Sequence, residues 1–232
     1  MQEISETSET TEPQFRRLWL VRHGTTLWNS EQRFCGHSDI PLAAQGRVQA
    51  NWLAHHLRTQ PITKIYSSDL LRACQTAEII AAQFPPGVQI AKSSSWREMA
   101  FGAWEGLTYA QIAQLFPSNL DFFTDPIASS PPGGESLTAL AQRVQNAFIE
   151  LAHTSVTIEG DSILVSHGGP LRVLLCITLG MPLEQQWRLH LAPGSLSAID
   201  FSPVIDDTVP IATLALFNMQ RPDHSQHEEF EV

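Results

Sequence analysis

Two short apolar runs that each end in a His-Gly pair constrain this chain more than any other feature. The first is Leu18-Trp19-Leu20-Val21-Arg22-His23-Gly24, and the second is Ile163-Leu164-Val165-Ser166-His167-Gly168-Gly169. Each is short, rich in Val, Ile and Leu, and closed by a turn residue, which predicts a buried strand. If both strands lie in one parallel sheet, both imidazoles emerge at its carboxyl edge, where open α/β sheets bind their ligands. Arg22 beside the first histidine, and the free backbone N–H groups of a helix starting at Gly168-Gly169-Pro170, suit an anion such as phosphate.

The rest of the chain alternates. Residues 41–60 place Leu42, Val48, Trp52, Leu53 and Leu57 at helical spacing before Pro61 breaks the pattern. A strand at 64–67 follows, then a helix capped by Ser68 or Asp69 that runs to 82, with Leu70, Leu71, Cys74, Ala77 and Ile80 on its apolar side. A third strand is expected at 88–91, a loop near the site at 96–104, a helix at 108–116, and an irregular, proline-bearing excursion at 117–134 that is a candidate lid. The second His-Gly strand lies between an amphipathic helix at 135–152 and a helix at 171–179, and two final strands, 197–201 and 211–216, form a hairpin across the loop holding Asp206-Asp207. This βαβα order predicts a three-layer α/β/α sandwich with a mainly parallel central sheet.

Composition bounds the partners. The 232 residues and 43% hydrophobic content allow one sizeable domain, expected at 14–220 between disordered tails at 1–13 and 221–232. The formal charge of −10 is concentrated in those ends, which hold eight acids and leave residues 13–221 near −2. No basic stripe invites nucleic acid, and no stretch is long and apolar enough for a membrane span, since even 171–183 carries Arg172. Cys35, Cys74 and Cys176 are odd in number and widely spaced, fitting neither a disulfide framework nor a zinc cluster. With an acidic amino terminus that resembles no targeting signal, they point to the reducing cytoplasm.

Two further blocks accompany the histidines. Ser67-Ser68-Asp69-Leu70-Leu71-Arg72-Ala73-Cys74-Gln75-Thr76-Ala77 places Arg72 in the first turn of a helix leaving the sheet's carboxyl edge. Arg97-Glu98-Met99-Ala100-Phe101-Gly102-Ala103-Trp104-Glu105-Gly106 holds a carboxyl group among aromatics, where a general acid can be raised toward neutrality. Glu98 and Glu105 compete for that role, and residue chemistry alone does not separate them.

These four ordered blocks, at 20–29, 67–77, 97–106 and 165–169, resemble the histidine phosphatase superfamily, the phosphoglycerate-mutase-like clan, over about residues 16–219. The resemblance implies that His23 is the nucleophile that becomes phosphorylated and that Arg22, Arg72 and His167, the last as an imidazolium, hold the phosphoryl group. It also implies Glu98 as proton donor, phosphate hydrogen bonds from Asn29, Thr26 and Gly168, a structural place for Glu105, and no metal or cofactor.

Within the superfamily the chain is most similar to the alpha-ribazole phosphatases of cobalamin biosynthesis, through 98–105, Gly133-Gly134-Glu135-Ser136, Gly180-Met181-Pro182 and 197–200. Thr25 and Ala43 depart from the family's pattern. The longer basic insertion by which phosphoglycerate mutases hold a second acidic group is absent, since 107–135 contains no Lys or Arg, and this favours hydrolysis over mutase chemistry. The expected partner is a small phosphorylated metabolite. The alternatives are a broad-specificity phosphatase, a mutase, and a catalytically silent phospholigand-binding module.

Overall fold

A computed structural model describes residues 15–157, 159–203 and 208–222 of the chain. Its first half contains β1 (Arg16–Arg22), α1 (Leu27–Ser30), α2 (Ala44–Leu57), β2 (Ile62–Ser68), α3 (Leu71–Ala81), β3 (Ile90–Ser93) and α4 (Tyr109–Leu115). There follow α5 (Leu137–Ser155), β4 (Asp161–Ser166), α6 (Gly168–Leu179), β5 (Leu196–Phe201) and β6 (Ala212–Met219). The strands form one sheet in the order β3-β2-β4-β1-β5-β6. β3, β2, β4 and β1 are parallel, while β5 and β6 add an antiparallel edge.

Alternation along β1 explains the layers. Leu18 and Leu20 join Leu164 in a core built with Leu140, Val144 and Phe148 of α5 and Leu171, Leu174 and Leu175 of α6. Trp19 and Val21 point the other way, and with Ile163 and Val165 they meet Leu53 and Leu57 of α2 and Ala73, Ala77 and Ile80 of α3. A strand covered on both faces has no polar side, which is why the two runs read as continuous hydrophobic stretches.

The parallel register pairs Leu18 with Ser162 and Arg22 with Ser166, so His23 and His167 leave adjacent strands side by side. The backbone N–H of His23 donates to the Ser166 carbonyl at 3.0 Å, extending the ladder one residue into the site. Gly24 is required just beyond, because a Cβ there would lie 2.4 Å from the Gly46 carbonyl oxygen, where β1 meets the first turn of α2.

Several expectations are adjusted. The third strand lies two residues later than 88–91. Neither Ser68 nor Asp69 caps α3: Leu70 occupies the cap, and the Leu71 N–H donates across the chain to Asp39 Oδ1 at 2.6 Å. Asp69 is taken instead by a bidentate pair with Arg97, at 2.6 and 2.7 Å. The excursion at 117–134 is anchored at its start by a 3₁₀ segment, Pro117–Phe123, with Phe122 fully buried and Phe123 stacked on Trp104 at 5.4 Å. The hairpin is present, but Asp206-Asp207, the tail at 1–13 and all but two residues of 221–232 lie outside the described residues. Among those described, no helix is long and apolar enough to cross a membrane.

Candidate active site

His23 ends β1 almost fully buried, and its tautomer follows from one contact. Nδ1 lies 2.7 Å from the Gly24 carbonyl oxygen, which can only accept, so Nδ1 carries the hydrogen and Nε2 keeps its lone pair. Burial, then the positive charges of Arg72 and Arg22, hold this imidazole well below its usual value of 6.5. The ring is therefore neutral at physiological pH, with its free nitrogen available to attack an electrophile.

Behind it stand His167 and Arg72, the ring of His167 centred 5.0 Å from that of His23. Arg72 Nε donates to His167 Nδ1 at 3.2 Å, which leaves the His167 hydrogen on Nε2, donating to Ser68 Oγ at 2.8 Å. Burial first, and then Arg72, lower the His167 pKa well below the ordinary value. The expected imidazolium is thus corrected: His167 is a neutral ring with both nitrogens engaged.

The loop at 35–38 organises the site. Arg72 donates from Nη1 to the Ser38 carbonyl at 2.9 Å, and from Nη2 to those of Cys35 and Gly36 at 3.2 and 2.7 Å. Three carbonyl dipoles aimed at one guanidinium fix a charge that burial alone would disfavour. The loop is held in turn by Glu105, whose carboxylate accepts from His37 N at 2.8 Å and from Ser38 Oγ at 2.7 Å.

Geometry thereby separates the two competing acids. Glu105 is committed to the loop, whereas Glu98 lines a cleft of about 290 Å³ together with His23, Arg22 and Asn29. The Glu98 carboxyl accepts from the N–H of Met99 at 2.9 Å and from that of Gly169 at 3.1 Å, in the first turn of α6. Its own carbonyl oxygen accepts from His37 Nε2 at 2.9 Å and Arg143 Nη2 at 3.0 Å, and Arg143 is clamped by Glu135. The Gly-Gly-Glu-Ser stretch acts here, since Glu135 braces Glu98 while Ser136 caps α5.

Gly169 is the tightest point of this arrangement. A Cβ at 169 would sit 2.2 Å from Glu98 Oε1. Gly169→Ala is expected to displace the carboxyl and lower kcat by about 10²-fold, the scale on which small misplacements act. Alanine suits a helix better than glycine, so a melting curve should show no matching loss of stability. Unchanged kcat would show that the position of Glu98 is unimportant.

The remaining expected residues divide. Asn29 faces the cleft with its oxygen held by Thr26 N and Thr26 Oγ1, both at 3.0 Å, leaving its amide hydrogens for a ligand. Thr26 itself is fully buried, caps α1 and reaches the cleft only through Asn29. Gly168 is buried at the start of α6, where the space for a Cβ lies 3.0 Å from Arg172 Nη2 and 3.5 Å from Arg22 Cζ.

Sequence reasoning missed Arg172, Trp187, Arg33 and Gln32, all in the cleft wall. Arg172 was legible, because it falls three residues after Gly169 and four after Gly168, on one face of α6. Trp187, in the 3₁₀ segment Leu183–Arg188, has no periodic signal to betray it. Arg33 and Arg172 also mean that the absence of basic residues from 107–135 does not leave the cleft wall uncharged. Among the described residues, no group of three or more His, Cys, Asp or Glu is placed to hold a metal ion.

Comparison with known proteins identifies the family and similar folds. The family model for the histidine phosphatase superfamily (branch 1) matches residues 18–204. A protein of Yersinia pestis named probable phosphoglycerate mutase GpmB is 38% identical over 192 residues, covering 80% of this chain and 85% of its own. A putative alpha-ribazole-5′-P phosphatase from Escherichia coli superposes with a TM-score of 0.76 at 30% identity, covering 88% of this chain and 96% of that one. A mycobacterial glucosyl-3-phosphoglycerate phosphatase gives a TM-score of 0.79 at 29% identity, covering 88% and 99%.

Proposed function

The chain belongs to branch 1 of the histidine phosphatase superfamily and is a phosphatase, and on that premise we propose that it hydrolyses small phosphomonoesters through a phosphohistidine on His23, without a metal. The observation that carries the reading is the placement, in one cleft, of a neutral imidazole with Nε2 free, a guanidinium from Arg22, and the carboxyl group of Glu98.

In the proposed reaction, Nε2 of His23 attacks phosphorus in line with the ester oxygen. Arg22, Arg72, the amide of Asn29 and the N-terminal backbone of α6 at Gly168 offset the charge on the equatorial oxygens. The P–O bond breaks as Glu98 gives its proton to the leaving oxygen. In the second half, the Glu98 carboxylate takes a proton from water, the resulting hydroxide attacks phosphorus, and the P–N bond breaks to restore His23. In this reading His167 acts by orienting Arg72, whose Nε donates to its Nδ1, rather than as an imidazolium.

For the substrate, alpha-ribazole 5′-phosphate is the first candidate. It is supported by the chain's own motifs, by fold relatives named for that substrate, and by Phe34, Phe101 and Trp187 in the cleft wall. A second reading, phosphorylated glycerates, is supported by relatives named for them and by the arginines of the same wall. Phosphate release from alpha-ribazole 5′-phosphate and 3-phosphoglycerate, with a parallel assay for phosphoglycerate isomerisation, tests both. Isomerisation outpacing phosphate release would replace the hydrolase reading with a mutase.

Because the proposed reaction offsets phosphoryl charge with guanidinium groups, turnover should survive dialysis against EDTA unchanged. Loss of activity that magnesium or zinc restores would overturn the metal-free mechanism.

A further inference from the structure

The free nitrogen of His23 depends on where one carbonyl points. Nδ1 gives its hydrogen to the Gly24 oxygen, so the Gly24–Thr25 peptide plane decides which ring nitrogen keeps a lone pair. A plane that follows glycine turns more readily than one that follows any other residue. Its direction has to be held from outside.

In a trans peptide the N–H points opposite to the C=O, so a group that fixes the Thr25 N–H also aims the Gly24 oxygen. That N–H donates to Gln49 Oε1 at 2.8 Å. Gln49 stands on α2 and does not line the cleft; it borders a separate hollow with Gln45, Pro193 and Gly194. It therefore reaches the chemistry only through this peptide. The adjoining peptides have partners of their own, since the Gly24 N–H donates to Thr76 Oγ1 at 3.2 Å and the Thr25 oxygen accepts from Ala43 N at 2.9 Å.

Two glycines make room for the contact. At Gly194, where φ is +71°, a Cβ would lie 2.6, 2.7 and 2.9 Å from Cβ, Cδ and Cγ of Gln49. The Gly194 N–H donates in turn to the Arg22 and His23 carbonyls, at 3.1 and 2.9 Å. At Gly46, a Cβ would lie 2.2 Å from the Thr25 oxygen and 2.9 Å from its nitrogen. Gly46 and Gln49 are three residues apart, so the close approach and the acceptor share one face of α2.

We propose that Gln49 is a positioning residue for the nucleophile: by holding the Gly24–Thr25 peptide it keeps the His23 hydrogen on Nδ1 and leaves Nε2 free to attack phosphorus. The inference rests on the phosphohistidine reading and adds a residue that touches neither substrate nor His23.

The test measures the burst of phosphoenzyme formation in wild type, Gln49→Met, Gln49→Asn and Gln49→Glu. ¹⁵N NMR of the resting proteins reads the His23 tautomer, the signal being assigned by its absence from His23→Ala. Methionine keeps the length but removes the oxygen, asparagine withdraws it by one methylene, and glutamate retains it. Gln49→Met and Gln49→Asn should slow the burst by roughly 10- to 100-fold, the scale on which small misplacements act. Their His23 hydrogen should be shared between the two ring nitrogens, and inhibition by orthophosphate should not weaken. Gln49→Glu should recover most of the rate and the wild-type tautomer.

A merely structural role would lower the melting temperature and leave the tautomer unmoved. A wild-type burst in folded Gln49→Met or Gln49→Asn therefore overturns the proposal, as does a slowed burst with the hydrogen still wholly on Nδ1. So does orthophosphate inhibition that weakens in step with the burst, or a glutamate variant as slow as the methionine one. Gln49→Asn carries the comparison if circular dichroism shows that Gln49→Met misfolds. If wild type forms no phosphoenzyme, the phosphohistidine reading fails; if wild type is labelled and the variants match it in burst and tautomer, only this inference fails.

Discussion

Replacing His23 with alanine is expected to abolish covalent labelling altogether and to lower turnover on the order of 10⁴-fold or more, since the nucleophile has no substitute in the cleft. Rapid acid-free quenching of wild type with a ³²P-labelled ester should trap label that acid releases and base does not. Equal labelling of His23→Ala would remove the nucleophile assignment. The pH dependence carries a second expectation. Protonation would consume the Nε2 lone pair, but burial and two arginines hold the native value well below 6.5, so the rate of phosphoenzyme formation should not break as pH falls through 6.5. Stability behaves differently. Unfolded imidazoles titrate normally, so below about 6.5 the unfolded chain binds protons that native His23 and His167 do not, and stability should decline as pH falls through that range.

The residues legible in sequence were those whose function coincides with a local pattern. His23 and His167 close apolar strands, Arg72 opens a helix, and the parallel β1–β4 register then brings the histidines together. Arg72 shows where local reading ends. Its identity was visible, but its anchorage on the carbonyls of Cys35, Gly36 and Ser38 depends on a loop with no periodicity. The Asp39 contact to α3 is of the same kind, for a capping group 32 residues upstream leaves no trace in a search for Ser, Thr or Asp next to the helix. Glu98 and Glu105 were chemically indistinguishable in one block. Only their hydrogen-bond partners, an α6 N–H for one and the 35–38 loop for the other, tell them apart. Arg172 fell between these cases. Its spacing placed it on the face of α6 nearest the site, but its buried, unpartnered Nε is a property of the folded structure alone.

The second large effect should follow Glu98→Gln, which keeps the shape of the side chain while removing the proton it donates. The oxygen facing Gly169 and Met99 can still accept their N–H groups, so orthophosphate should bind nearly as well as before. Turnover on an alkyl phosphate should fall by about 10²- to 10⁴-fold, the usual contribution of a general acid. The loss must depend on the leaving group if protonation of the ester oxygen is the function removed. A nitrophenolate departs without much help, so its burst of phosphoenzyme formation should be slowed far less than that of an alkyl ester. Glu105→Gln weakens the loop that positions Arg72, and should raise the orthophosphate inhibition constant and slow both esters alike. Burst rates measured with the two esters on both variants separate these roles, because the burst reports phosphoryl transfer to His23 before water attacks. If Glu98→Gln slows both esters equally and Glu105→Gln discriminates between them, the proton comes from Glu105 and the cleft geometry has been misread.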